Sequence, residues 1–296
     1  MIHYSFSKDE LWDSINSDVP NWKRRSVRRA NKVINAGHYN EKTSIWSEVK
    51  SVYMTLQKNK CAFCERQFES PDTGKIEFDL EHFRPKSSVK LWPDPLKHSK
   101  LSYSLATGAA SAAGYYWLCY DPFNYAASCK ICNTIFKIDY FPVHGARGTA
   151  PASYEDLQDE KPYLCFPLGE YGEDPERLIT FKATVAVPTF EESADPFNHQ
   201  RGQVIIDLFG LNDREQLHRE RARTIAIFGP SFDAREKGTA GPDDLEIIRR
   251  ASLPDIPHAS CLRAFAHLWS VDPVLARETL KKCQMYATSS ITKNFP

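Results

Sequence analysis

At 296 residues, with 42% hydrophobic, 26% charged and 12% aromatic side chains, the chain has the make-up of a soluble globular protein of one large or two small domains. Its 38 basic residues balance 38 acidic ones, so no global field draws it to polyanions; this argues against a protein that merely coats nucleic acid, but not against an enzyme with a local basic groove. The opening residues lack an apolar leader core, and the longest weakly polar run, Leu105 to Tyr120, is interrupted and too short to span a bilayer; a cytoplasmic protein without membrane contact is expected.

Residues 1–60 read as helical. Leu11, Trp12 and Ile15, then Val27, Ala30 and Ile34, then Ile45, Trp46, Val49, Val52 and Leu56 recur near three-four spacing. Between the first two groups, Asn21 to Lys32 carries six cations and no acid. Arg24, Arg25 and Arg28 stand there beside an aromatic, a combination that suits phosphate contact and equally a solvated helix face. Cys61-x-x-Cys64 is a tight knuckle, Pro71 to Gly74 a turn, and Ile76, Phe78 and Leu80 alternate with polar residues as a half-buried strand ending on Glu81 and His82. Pro85 stops that strand. Residues 86–114, crowded with lysine, proline and serine and then low in complexity, read as an inserted mobile loop. Tyr115 to Tyr120 is apolar enough for core packing. Asn124 follows, then Cys129-x-x-Cys132-Asn133-x-x-x-Lys137, a knuckle passing into a helix that Ser128 would cap. Beyond an irregular stretch with one strand at Leu178 to Val187, helical patterns resume at Gly202, after an Asn212 cap, and over about Asp243 to Leu253 and Cys261 to Met285.

Two Cys-x-x-Cys pairs in an unsecreted chain favour metal over disulfide, and four thiolates in a tetrahedron suit a structural Zn²⁺. Because 64 residues separate Cys64 from Cys129, such an ion would clamp two ends of a discontinuous unit rather than build a finger. Cys119, Cys165, Cys261 and Cys283 lack this spacing and read as buried small hydrophobes. Between the knuckles stand the groups that phosphodiester hydrolysis needs. His82 titrates near neutrality and suits a general base, while Glu81 and Asn133 offer hard oxygen atoms to Mg²⁺. Neighbours on a strand point to opposite sides, so Glu81 would face a metal while His82 approaches a water. Arg84, Lys86 and Lys137 are the adjacent candidates for phosphate binding, and Glu65 is either a neighbour of a metal site or an exposed acid.

The order Cys-x-x-Cys, Glu-His-Phe-x-Pro, Asn, Cys-x-x-Cys-Asn-x-x-x-Lys resembles the HNH endonucleases, in the variant whose last histidine is asparagine. That resemblance implies a ββα-metal core in which Glu81 and Asn133 hold Mg²⁺ or Mn²⁺, His82 is the base and Asn124 orients it. Further stretches, Glu81 to Ser87, Tyr116 to Asp121, Phe141-Pro142 and Leu208-Phe-Gly-Leu-Asn-Asp-Arg214, resemble the PtuB nucleases of Septu anti-phage systems, a family also found beside retrons. Membership would imply a nuclease effector, with DNA the expected substrate, acting with the ABC-type ATPase PtuA and with retron components as further possible partners. The resulting expectation is an α+β protein: an N-terminal helical region (1–60), a zinc-clamped nuclease core (61–143), a connector (144–200) and a C-terminal helical region (201–296). Two rivals stand beside it: a zinc-stapled adaptor that does no chemistry, and a redox protein using its dithiols.

Overall fold

Ser7 opens the first helix through a reciprocal cap: its hydroxyl accepts from the Glu10 N–H, and the Glu10 carboxylate accepts from the Ser7 N–H. This α1 (Lys8–Asp18) buries Leu11 and Ile15. A left-handed Asn21 turns the chain into α2 (Trp22–Ala36), which Gly37 ends at φ 70°. Trp22 is fully buried and donates its indole N–H to the Ile45 carbonyl at 2.8 Å, tying α2 to the strap that leads, through a short 3-10 turn, into α3 (Lys50–Leu56). In the computed structural model, the residues described are 1–68 and 77–289. The expected turn at Pro71 to Gly74, and Ile76, lie outside them.

Among the described residues, two small antiparallel sheets make the fold a mixed α/β one. In the first, β1 (Phe78–His82) pairs with β2 (Tyr125–Cys129), with Phe78 opposite Cys129 and His82 opposite Tyr125. A π-helical turn, Ile131–Lys137, follows β2 directly. Ser128 therefore does not cap a helix: it pairs with Asp79 in the sheet, and its hydroxyl donates to the Cys129 carbonyl at 3.3 Å. In the second sheet, β3 (Ile179–Lys182) and β4 (Val185–Pro188) form a hairpin where one strand was expected. Ala183 at φ 54° supplies the turn, and nothing in its side chain announces that conformation.

Residues 86–114 are packed down, contrary to the expected mobile loop. Val89 and Ser111 exchange backbone hydrogen bonds, Trp92 is buried against Tyr140, and the Gln200 amide brackets both backbone groups of Leu105. Gly114 closes the loop at φ 58°, so near the chain after Pro85 that a Cβ would stand 2.7 Å from the Pro85 carbonyl oxygen. The Tyr115 to Tyr120 segment joins the core as expected, with Tyr115 and Cys119 wholly buried.

The C-terminal half is helical: α4 (Pro196–Leu208), α5 (Glu215–Glu236), α6 (Pro242–Arg250), α7 (Ala259–Val271) and α8 (Pro273–Thr288). Asp272 ends α7 and caps α8 by accepting from the Leu275 N–H, so the pattern from Cys261 to Met285 is two helices. Asn212 is not a cap. Its amide exchanges two 2.8 Å hydrogen bonds with the Ala186 backbone and so extends the second hairpin. No helix among the described residues is long and apolar enough to cross a membrane.

Candidate metal centre and active-site cleft

The knuckle residues Cys61 and Cys64 follow α3, while Cys129 closes β2 and Cys132 begins the π turn. Their sulfur atoms lie within 4.8 Å of one another, and all four residues are buried. Cys64 and Cys129 sulfurs stand 3.8 Å apart, about the edge of a tetrahedron with bonds of roughly 2.3 Å to zinc. Backbone N–H groups of Cys129 and Cys132 point at the sulfurs of Cys61 and Cys129 (3.3 and 3.4 Å), an arrangement that favours thiolate. These four cysteines could hold a metal such as zinc. Cys119, Cys165, Cys261 and Cys283 are buried and stand outside this cluster.

One turn away, a cleft of about 450 Å³ opens between β1, the π turn and the strap before α3; Glu81, His82, Lys86, Asn133, Asp79 and Trp46 are among its walls. Alternation along β1 puts Asp79 and Glu81 on one face and His82 on the other. The His82 ring sits edge-on between Trp46 (4.8 Å) and Tyr125 (5.0 Å). Its Nε2 is 3.0 Å from the Cys119 carbonyl, which can only accept, so Nε2 carries the proton and Nδ1 keeps a lone pair. Burial, and then the nearby Lys86 ammonium, hold the imidazole well below its ordinary pKa, so it is neutral at neutral pH.

Asn124 acts on the chain rather than on the ring. Its amide accepts from the Arg84 N–H (2.8 Å) and donates to the Arg84 carbonyl (3.0 Å), locking the backbone just past His82. The next residue, Tyr125, donates its hydroxyl to the same Cys119 carbonyl that holds His82. Among the described residues nothing links the Asn124 amide to the imidazole directly.

Of the six cations expected at phosphates, two point inward. Lys137 is fully buried and donates to Glu81 Oε1 (2.5 Å) and to the His82 carbonyl (3.1 Å). Arg84 is 2% exposed and pairs with Glu160, 76 residues away. Burial lifts the Glu81 carboxyl above its usual range against the pull of Lys137, and Oε2 receives no hydrogen bond from a described residue. Lys86 lines the cleft with its ammonium 4.8 Å from the Trp46 ring centre, and burial lowers its pKa. Arg25 reaches Glu48 at 3.0 Å. Arg24 and Arg28 are exposed and, among the described residues, form no ion pair; Lys32 shares that face.

Sequence reasoning passed over several groups. Asp79 accepts from the Asn133 amide at 3.4 Å and lies 3.7 Å from the Lys50 ammonium. Its position two residues before Glu81 on a strand was the available signal. Trp46 and the Cys119 carbonyl carried no signal of a role at the site. Glu65 is buried, with Lys60 3.6 Å from its carboxylate and Ser260 bonded to it, and so is neither an exposed acid nor part of the cleft.

Over 175 residues the chain is 27% identical to Septu protein PtuB of Bacillus mycoides (strain KBAB4), a match covering 59% of this chain and 50% of that protein. The chain thus spans about half the length of the relative it matches. No protein-family model matches the chain, and no solved structure does.

Proposed function

We propose that the protein is a metal-dependent endonuclease of the HNH type, hydrolysing phosphodiester bonds in nucleic acid, with DNA the foremost substrate. One observation carries this reading: Glu81, His82 and Asn133 meet in one cleft, on an antiparallel strand pair followed by a helical turn, beside four clustered cysteines. His82 takes the proton from the attacking water through Nδ1, because Nε2 is committed to the Cys119 carbonyl. Glu81 through Oε2 and Asn133 through its amide oxygen offer the hard donors that Mg²⁺ or Mn²⁺ prefers, and the Asp79 contact turns the Asn133 NH₂ away so that its oxygen is left. A bound divalent ion would supply charge neutralisation at the phosphate and at the departing oxygen. Zn²⁺ at the cysteines is structural in this reading.

Lys86 is the cleft's phosphate-binding cation, and Arg24, Arg28 and Lys32 form the approach to it. These three recur every fourth residue, about 6 Å apart along α2, while Arg25 and Arg29 on the neighbouring face reach Glu48 and Tyr120. Tyr120, which Arg29 reaches, packs on Trp46 and Trp46 on His82, so it is the neighbouring face of α2, beside the exposed cations, that is linked to the cleft. The similarity to Septu protein PtuB supports a role in anti-phage defence. An ABC-type ATPase of the PtuA kind as partner, a cytoplasmic setting and retron components as further candidates are what the motif resemblance adds to this proposal.

Plasmid cleavage with and without Mg²⁺, on zinc-loaded protein with and without that ATPase, tests the reading. Wild type is expected to nick in a metal-dependent way and His82→Ala to lose about 10²-fold or more while still folded. Cleavage that survives in His82→Ala would sink the assignment of the base. No cleavage by wild type in either state would favour the adaptor.

A further inference from the structure

The stretch from Leu208 to Arg214 takes no part in the cleft, yet its side chains converge on the cysteine cluster. The Phe209 ring stacks on Phe63, inside the first knuckle, at 4.3 Å and 13°. Gly210, at φ 53°, comes so close to Phe136 in the π turn of the second knuckle that a Cβ would stand 2.2 Å from that ring. Arg214 then places both terminal nitrogens 3.5 Å from the sulfur of Cys132, with its guanidinium 5.0 Å from the centre of Phe136. Its remaining N–H groups donate to the carbonyls of Gly210 (3.1 Å) and Phe209 (2.9 Å), so the head is held in one orientation by its own turn. One short segment therefore touches both knuckles, one by a stacked ring and the other by a forked cation.

We propose that residues 209–214 are the outer lid of the cysteine metal centre, and that Arg214 is a positioning residue that retains the metal by pairing with the Cys132 thiolate. A metal held by four thiolates carries excess negative charge, and a half-buried guanidinium aimed at one sulfur offsets it. Only arginine presents two parallel donors to one acceptor; lysine would bring the charge without the fork. The inference rests on the metal reading of the four cysteines and is independent of the nuclease reading. It makes the C-terminal helices, which begin α5 at this turn, dependent on the metal and the metal dependent on them.

The test is zinc release from purified full-length protein into excess chromophoric chelator, with zinc content measured first. Arg214→Met, which keeps the stem over Phe136, is expected to release zinc about 10- to 100-fold faster than wild type, and Arg214→Lys to fall between. Release within twofold of wild type for folded Arg214→Met would overturn the proposal. Should that variant not fold, Arg214→Lys decides: unchanged release overturns the lid, faster release upholds it. Wild type purified without zinc and unable to take it up would remove the metal premise instead, which separates the two failures.

Discussion

At the scale of single residues, the Glu81–Lys137 pair decides how the cleft is held. Lys137 has no exposed surface and Glu81 little, so the two charges are stable only together. Lys137→Met leaves the carboxylate buried without a partner and is expected to cost about 3–5 kcal/mol in urea unfolding. Glu81→Gln with Lys137→Met should recover much of that loss; a double variant no more stable than the single one would show that the pair is not what Lys137 stabilises. That Glu81, His82 and Asn133 come together in one cleft was legible because strand alternation and knuckle spacing are local patterns. The inward turn of Lys137 and Arg84 was not, since whether a cation meets solvent depends on Glu81 and Glu160, 56 and 76 residues away. Asp79 was legible in principle and passed over.

At the scale of elements, α2 offers the cleanest separation of binding from folding. Arg24, Arg28 and Lys32 are exposed, so Arg24→Glu, Arg28→Glu and Lys32→Glu together should leave stability within about 0.5 kcal/mol per site. Binding of labelled DNA should weaken, and the slope of log affinity against log salt should flatten by about 2–3, the share of three phosphate contacts. An unchanged slope would return α2 to the solvated-face reading. The start of α5 gives a pH test. His218 is buried, its Nε2 on the Asn212 carbonyl and its Nδ1 on the Thr184 hydroxyl, and burial lowers its pKa. A lowered folded pKa means that its contribution is complete above the unfolded value of about 6.5 and is lost as pH falls from there through the folded value. His218→Gln should therefore flatten the fall of the urea midpoint between pH 7.5 and 5; a slope identical to wild type would place the acid sensitivity elsewhere. The helices themselves were legible from periodicity, but not the buried face of α2: Val27 and Ile34 are exposed there, and Trp22, Ser26 and Val33 face the core instead. The hairpin at Ala183 and the pairing of Asn212 with Ala186 were not, because a left-handed alanine and a side chain acting as a strand leave no periodic trace.

At the scale of the whole molecule, the four cysteines join parts that the sequence keeps far apart. Cys61 and Cys64 arrive on the strap after α3, Cys129 and Cys132 on β2 and the turn that carries Asn133 and Lys137, and Arg214 brings the junction of α4 and α5 onto the same cluster. A metal bound there constrains the N-terminal helices, the cleft and the C-terminal helices at once. The two motifs announced the clamp; the third participant, from 82 residues beyond Cys132, did not, because its contact is a product of packing. Structural zinc in small domains contributes on the order of 10 kcal/mol, and each 1 kcal/mol moves the melting temperature by roughly 2–4 °C in a chain approaching this size. Chelator-stripped protein is therefore expected to melt at least about 10 °C below the zinc-loaded form, and Cys129→Ser to behave as the stripped protein does whether or not zinc is added. Because the clamp holds both halves, near-ultraviolet circular dichroism should report loss of the Phe63–Phe209 and Trp46–His82 environments in the same transition. Two separate transitions, the cleft surviving the loss of the C-terminal half, would mean that the cysteine centre staples the cleft-bearing unit alone.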